Sequence, residues 1–123
     1  LGAEVAVTFV PHLLPIRRGI LSTAYVRPRP GADLDAFGKA FEDRYANERF
    51  IVLTGSRPPE IRDVAGTNDC AIGWAFDAKS RTVVVVSVID NLGKGAAGQA
   101  IQNMNAMMGW SESTGLDHLA VVP

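Results

Sequence analysis

Residues 70–89 read CAIGWAFDAKSRTVVVVSVI, and the fold turns on how that stretch is parsed. Cys70–Phe76 is an apolar run of strand length, and Arg81–Ile89 is a second, dominated by β-branched Val and Ile. Asp77–Ser80 (DAKS) between them is polar and short enough to be a hairpin turn. Strands joined by so tight a turn run antiparallel, because a parallel pair needs a long crossover.

Upstream of the hairpin, Phe50–Leu53 reads as a short strand. It is followed by TGSRPPEIRDVAGTND (54–69), a polar connection of a length that is usually functional or mobile in a compact domain. Further back, Leu34, Phe37, Phe41 and Tyr45 recur at spacings of three and four, which predicts an amphipathic helix over Asp33–Asn47 with Asp33 as N-cap. Gly38 inside it costs about 1 kcal/mol against Ala. Gly19–Arg27 (GILSTAYVR) and Glu4–Val10 (EVAVTFV) read as two further strands. Pro11 and Pro15 interrupt them, so Pro11–Arg18 is a shaped loop. Downstream, DNLGKGAAG (90–98) leads into a helix whose apolar positions are Ala97, Ile101, Met104 and Met108, ended by Gly109. The predicted order is β-β-α-β-β-β-α. It points to an α+β fold in which a mostly antiparallel sheet is packed on one face by helices.

Bulk properties narrow the function classes. The chain has 123 residues, enough for one domain with a sizeable core. Hydrophobic residues make up 47%, charged residues 20%, and the net charge is -1, as in soluble globular proteins. That balance gives no electrostatic case for nucleic acid or a membrane surface. The longest apolar run, Val83–Val86 with Val88 and Ile89 after Ser87, is too short to span a bilayer. A single Cys excludes an internal disulfide framework and a multi-cysteine metal site, so no metal is expected, and it fits a reducing, cytoplasmic setting. The chain begins LGAEVAVTF, without Met or a signal pattern, and is expected to be a piece of a longer protein.

Three places carry chemistry. His12 lies between two prolines in FVPHLLPIRRG (9–19), where a stiff loop would hold an acid/base in place. The bland reading is a structural His at a strand end. Arg17 and Arg18 would point to opposite sides of an extended chain, so at most one faces the same site; Arg forks suit carboxylate and phosphate. Cys70 is a tempting nucleophile, but it sits in an apolar strand with no cation adjoining it in sequence, so it reads as a small buried hydrophobe. The glycine-rich turn around Lys94 opens a helix bearing Gln99, Gln102, Asn103 and Asn105, whose polar face is expected to meet something polar. Free N–H groups at such a helix start attract anions. GKGAAG (93–98) matches G-x-G-x-x-G by letter, but it heads no βαβ unit.

Taken together, FVPHLLPIRRGI, GTNDCAIG and IDNLGKGAAGQAIQNMNAMMG resemble the second half of the N-acetyl-gamma-glutamyl-phosphate reductases, NADP-dependent enzymes of arginine biosynthesis. The likeness runs from Val5 to the closing GLDHLAVVP (115–123). It implies a fold like the C-terminal domain of glyceraldehyde-3-phosphate dehydrogenase-type enzymes. Residues 1–123 would form one substrate-binding and dimerisation domain, with the Rossmann cofactor domain elsewhere. It also implies a reaction in which a cysteine thiolate attacks an acyl phosphate, phosphate leaves, and NADPH reduces the thioester to the semialdehyde. In the P-H-x-x-P-x-x-R-G motif, His12 matches the family's acid/base and Arg18 its Arg; Arg17, in a more variable place, and Lys94 would serve the substrate. Asn91, Gly95 and Gln99 would lie toward the nicotinamide end of the cofactor. The nucleophilic Cys and the cofactor domain would lie upstream, so this chain alone is expected to be inactive. The family usually has Val after Asn-Leu; Gly93 here would loosen the turn. A relative acting on the aminoadipyl analogue in lysine biosynthesis shares much of the pattern. Other readings are a module that only assembles subunits through the sheet, and an unrelated binding domain.

Overall fold

The hairpin predicted from residues 70–89 is the centre of the sheet. A computed structural model describes residues 6–33 and 35–117. Its strands are β1 (Ile20–Val26), β2 (Ile51–Gly55), β3 (Cys70–Asp77) and β4 (Thr82–Ile89). Its helices are α1 (Asp35–Tyr45) and α2 (Gly98–Met107), the second preceded by a π-helical turn over Gly93–Ala97. The strands lie in the order β1-β4-β3-β2. β3 and β4 pair antiparallel from Cys70↔Ile89 to Asp77↔Thr82, and β1 pairs antiparallel with β4.

β2 departs from that pattern: it runs parallel to β3, so the sheet is mixed although mostly antiparallel. The physical reason is the connection 56–69, long enough to return the chain to the start of the sheet, as a parallel neighbour requires. It holds a single 3₁₀ turn, Ile61–Asp63, in place of a crossover helix.

Opposed residues on β3 and β4 define the two faces. Ala71 faces Val88, both fully buried, and Val64 of the connection closes over them with Ile61 alongside. On the other face Trp74 lies opposite Val85 and stacks on Phe41 of α1, ring centroids 5.0 Å apart and planes 10° from parallel. Phe37, Phe41 and Tyr45 continue as an aromatic row along α1. Gly38 is placed where the helix crosses the sheet: a Cβ there would stand 3.1 Å from Trp74 Nε1. The propensity lost at Gly38 is the condition for close helix–sheet contact. The π turn meets the same face, since a Cβ at Gly95 would lie 3.5 Å from Ile89 Cδ1.

One expected element is missing. Residues 6–10 form no strand, and Val7, Phe9 and Val10 are exposed; residues 4 and 5 of that prediction lie outside the described residues. A β-branched run becomes a strand only against a partner, and among the described residues this run has none. β1, at the sheet edge, is exposed along its whole length. Leu34 of the predicted helix and residues 118–123 also lie outside the description.

Candidate active site

The β1–β4 ladder ends at Ile20↔Ile89, and from there side chains take over from the main chain. The Gly19 N–H donates to Asn91 Oδ1 at 2.7 Å. Crossing that bond, Arg18, one residue before Gly19, pairs through Nε with Oδ2 of Asp90, the first residue after β4, at 2.6 Å. The loop Pro11–Arg18 is therefore fastened at its end to the two residues that follow β4. Gly19 has φ +108°, and a Cβ on it would overlap Ile61, so glycine is required at the fastening point.

Asp90 is the hub of this junction. Its side chain has no exposed surface. Besides Arg18 it accepts the N–H of Gly66 at 2.6 Å, of Leu92 at 2.8 Å and of Gly93 at 2.9 Å. Burial pushes the Asp90 carboxyl up, but the Gly66, Gly93, Arg18 and Leu92 donors together outweigh it and hold the group at about 2. One carboxylate thus ties the His12 loop, the 56–69 connection and the start of the π turn. Sequence reasoning passed over it as a strand end. Its signal was an Asp followed two and three residues later by free N–H groups, an Asx-turn pattern.

The turn after Asp90 is closed internally. Gly95 N–H donates to the Asp90 carbonyl at 2.8 Å, Ala97 N–H to Leu92 at 3.1 Å, and Gly98 N–H to Gly93, all five residues back. Such π-helical turns occur often at functional sites. The turn is tight, contrary to the loosening expected of Gly93: a Cβ there would stand 2.4 Å from the Thr67 carbonyl oxygen. Gly98 is equally constrained, its Cβ position lying 2.2 Å from Asn68 Oδ1. That buried oxygen has no hydrogen-bond partner.

Lys94 is half-buried, its Nζ 2.7 Å from Gln102 Oε1 and 5.4 Å above the Phe50 ring. Gln102 also accepts from Asn68 Nδ2 and donates to Glu112 Oε2. Buried Asn105 donates to the carbonyls of Glu112 and Thr114. The polar face of α2 therefore does meet polar groups, and they are the protein's own 111–114 turn and Asn68. Gln99 donates to Asn103 on the same helix at 2.9 Å.

Arg18, Asn91 and Gly95 are thus gathered at one junction, whereas the Lys94 side chain turns to Gln102 and Phe50, and Gln99 lies in the next turn. His12 and Arg17 lie on the exposed loop before it. His12 Nδ1 is 3.1 Å from the Val10 carbonyl oxygen. A carbonyl only accepts, so Nδ1 carries the proton in that bond and Nε2 is the atom that exchanges one in the neutral ring. Cys70 is half-buried; burial pushes its thiol up, partly opposed by Lys94. An up-shifted thiol is a poor nucleophile, in keeping with its reading as a packing residue. Among the described residues no three His, Cys, Asp or Glu side chains come together as a metal site, and no helix is long and apolar enough to cross a membrane.

The fit to a dinucleotide is limited. Gly95, Ala97 and Gly98 use their N–H groups within the π turn, and Asn91 Oδ1 is taken by Gly19. These groups are therefore not free to cradle a pyrophosphate.

A mixed four-stranded sheet with a loop fastened to the residues after β4 defines a class of protein. Two solved structures share the fold, both of aspartate semialdehyde dehydrogenase II from Vibrio cholerae. They have TM-scores of 0.58 for the complex with ASA and 0.59 for the other, 23% identity, and cover 77% of this chain and 28% of theirs. The family model of semialdehyde dehydrogenase dimerisation domains matches residues 1–91, and the chain belongs to that family. N-acetyl-gamma-glutamyl-phosphate reductases are similar over nearly the whole chain. The one from Laribacter hongkongensis is 52% identical over 99% of this chain and 35% of its own length. Those from Magnetococcus marinus and Pelotomaculum thermopropionicum are 46% and 51% identical over 99% and 94% of this chain. The chain spans about a third of the length of these relatives.

Proposed function

We propose that this chain is the substrate-facing and subunit-pairing part of a cytoplasmic N-acetyl-gamma-glutamyl-phosphate reductase. The observation that carries the reading is the 52% identity to such a reductase across 99% of the chain. In this proposal residues 1–123 are one domain, and the nucleophilic thiol and the NADP-binding domain belong to other parts of the protein. NADPH, when bound, supplies the hydride. His12 holds and returns a proton through Nε2 as the acyl phosphate becomes semialdehyde and phosphate, while Arg18 and Lys94, with Arg17 at the loop surface, offer cationic groups to the anionic substrate. Asn91, Gly95 and Gln99 border the nicotinamide end by proximity and grip no phosphate. Subunit pairing through the sheet is supported by exposed Ile20, Leu21, Tyr25 and Val26 on the edge strand β1, an apolar surface of the kind that marks an interface.

The test is an NADPH-oxidation assay with N-acetyl-glutamyl 5-phosphate and its aminoadipyl analogue. The full-length protein should turn over the glutamyl compound faster. Preference for the aminoadipyl compound would move the protein to the lysine branch, and turnover by residues 1–123 alone would refute the division of labour.

A further inference from the structure

We infer that Asp90 is a positioning residue that orients Arg18 and, through it, the loop carrying His12. Among the described residues, that pair and the neighbouring Gly19–Asn91 bond are the hydrogen bonds that tie the loop end to the sheet. Among the described residues His12 bonds to Val10, two residues away, so its place relative to the junction depends on how the loop end is held. The Arg18–Asp90 bond uses Nε. The contact anchors the guanidinium at its inner nitrogen while the side chain as a whole stays 43% exposed. A planar fork held at its inner edge is pre-organised for an anion at its outer edge. Asp90 does not meet the substrate; being fully buried, it acts through Arg18. Its other three bonds, to Gly66, Leu92 and Gly93, fix it from behind, so the orientation is set by backbone from two further segments.

This rests on the reductase reading, and the experiment separates the two. In the full-length enzyme, Asp90→Asn keeps the shape of the side chain and removes its charge. The expected result is about a tenfold or greater rise in KM for the acyl phosphate together with a fall in kcat, since small misplacements of reacting groups are costly. The KM for NADPH should rise less than that for the acyl phosphate, because the π turn keeps its own backbone hydrogen bonds. A merely structural defect would move both KM values or neither. In parallel, trypsin should cut after Arg17 and Arg18 faster in the variant, reporting release of the loop. If Asp90→Asn does not fold, Arg18→Met removes the same contact from its exposed side, and faster trypsin cleavage after Arg17 is the readout that supports the inference. Unchanged kinetics and unchanged cleavage in a folded variant overturn it. A wild-type enzyme without acyl-phosphate reduction would instead sink the reductase reading.

Discussion

Arg18 and Asp90 form an ion pair across the end of the β1–β4 ladder, at 2.6 Å, in which the carboxylate is wholly buried and the guanidinium is partly in water. The pair holds together two segments that lie more than half the chain apart in sequence, the two longest motifs by which the chain resembles its relatives.

That geometry sets the response to acid. Asp90 in the folded protein sits at about 2, below its ordinary 3.8. A depressed carboxylate contributes stability that is present above its unfolded pKa and is lost as pH falls toward the folded one. The contribution, on the order of 2 kcal/mol, should be complete above about pH 4 and fade between about pH 4 and 2. Urea unfolding over that range should show a steeper loss for the native protein than for Asp90→Asn. Equal slopes would mean that the carboxylate is not held as described.

Gly98→Ala should destabilise by roughly 1–3 kcal/mol, as overpacking does. Its Cβ would stand 2.2 Å from Asn68 Oδ1 and 2.8 Å from the Gly93 carbonyl oxygen. The same change at Gly31, where a Cβ meets nothing within 4 Å, is strained only by its positive φ. Thermal melts of Gly98→Ala matching those of the native protein would refute the close approach.

Phe41 and Trp74 should show a coupling of about 0.5–1.5 kcal/mol in a double-mutant cycle with Ala, because the rings stack at 5.0 Å. Additive single and double mutants would place α1 elsewhere.

Much of this fold was legible because its elements are local. The hairpin of residues 70–89 and both helices follow from periodicity and turn residues within a few positions. The parallel placement of β2 was not legible, since it depends on where a long connection leads. Nor was the coil at residues 6–10, where a strand-like run has no ladder partner. At the site, His12 and the glycine-rich turn were visible as motifs. Asp90 was not, because its partners at residues 18 and 66 are distant in sequence and only folding brings them together. Arg18 was seen as a substrate group, and its bond to Asp90 adds a role that spacing does not encode.

Cys70 should alkylate more slowly with iodoacetamide at pH 8 than a free thiol, and speed up on unfolding, since burial raises its pKa. If the full-length protein is the reductase proposed above, its Cys70→Ala variant should retain turnover. Loss of acyl-phosphate reduction in a folded Cys70→Ala enzyme would make this thiol the nucleophile after all.

The account stands most directly on His12. In the full-length enzyme, His12→Asn should leave the fold and the KM for NADPH intact and reduce kcat with N-acetyl-glutamyl 5-phosphate by about 10²–10⁴-fold, the usual worth of a general acid/base. A folded His12→Asn enzyme that turned over at the native rate would contradict the assignment of this loop as half of an active site.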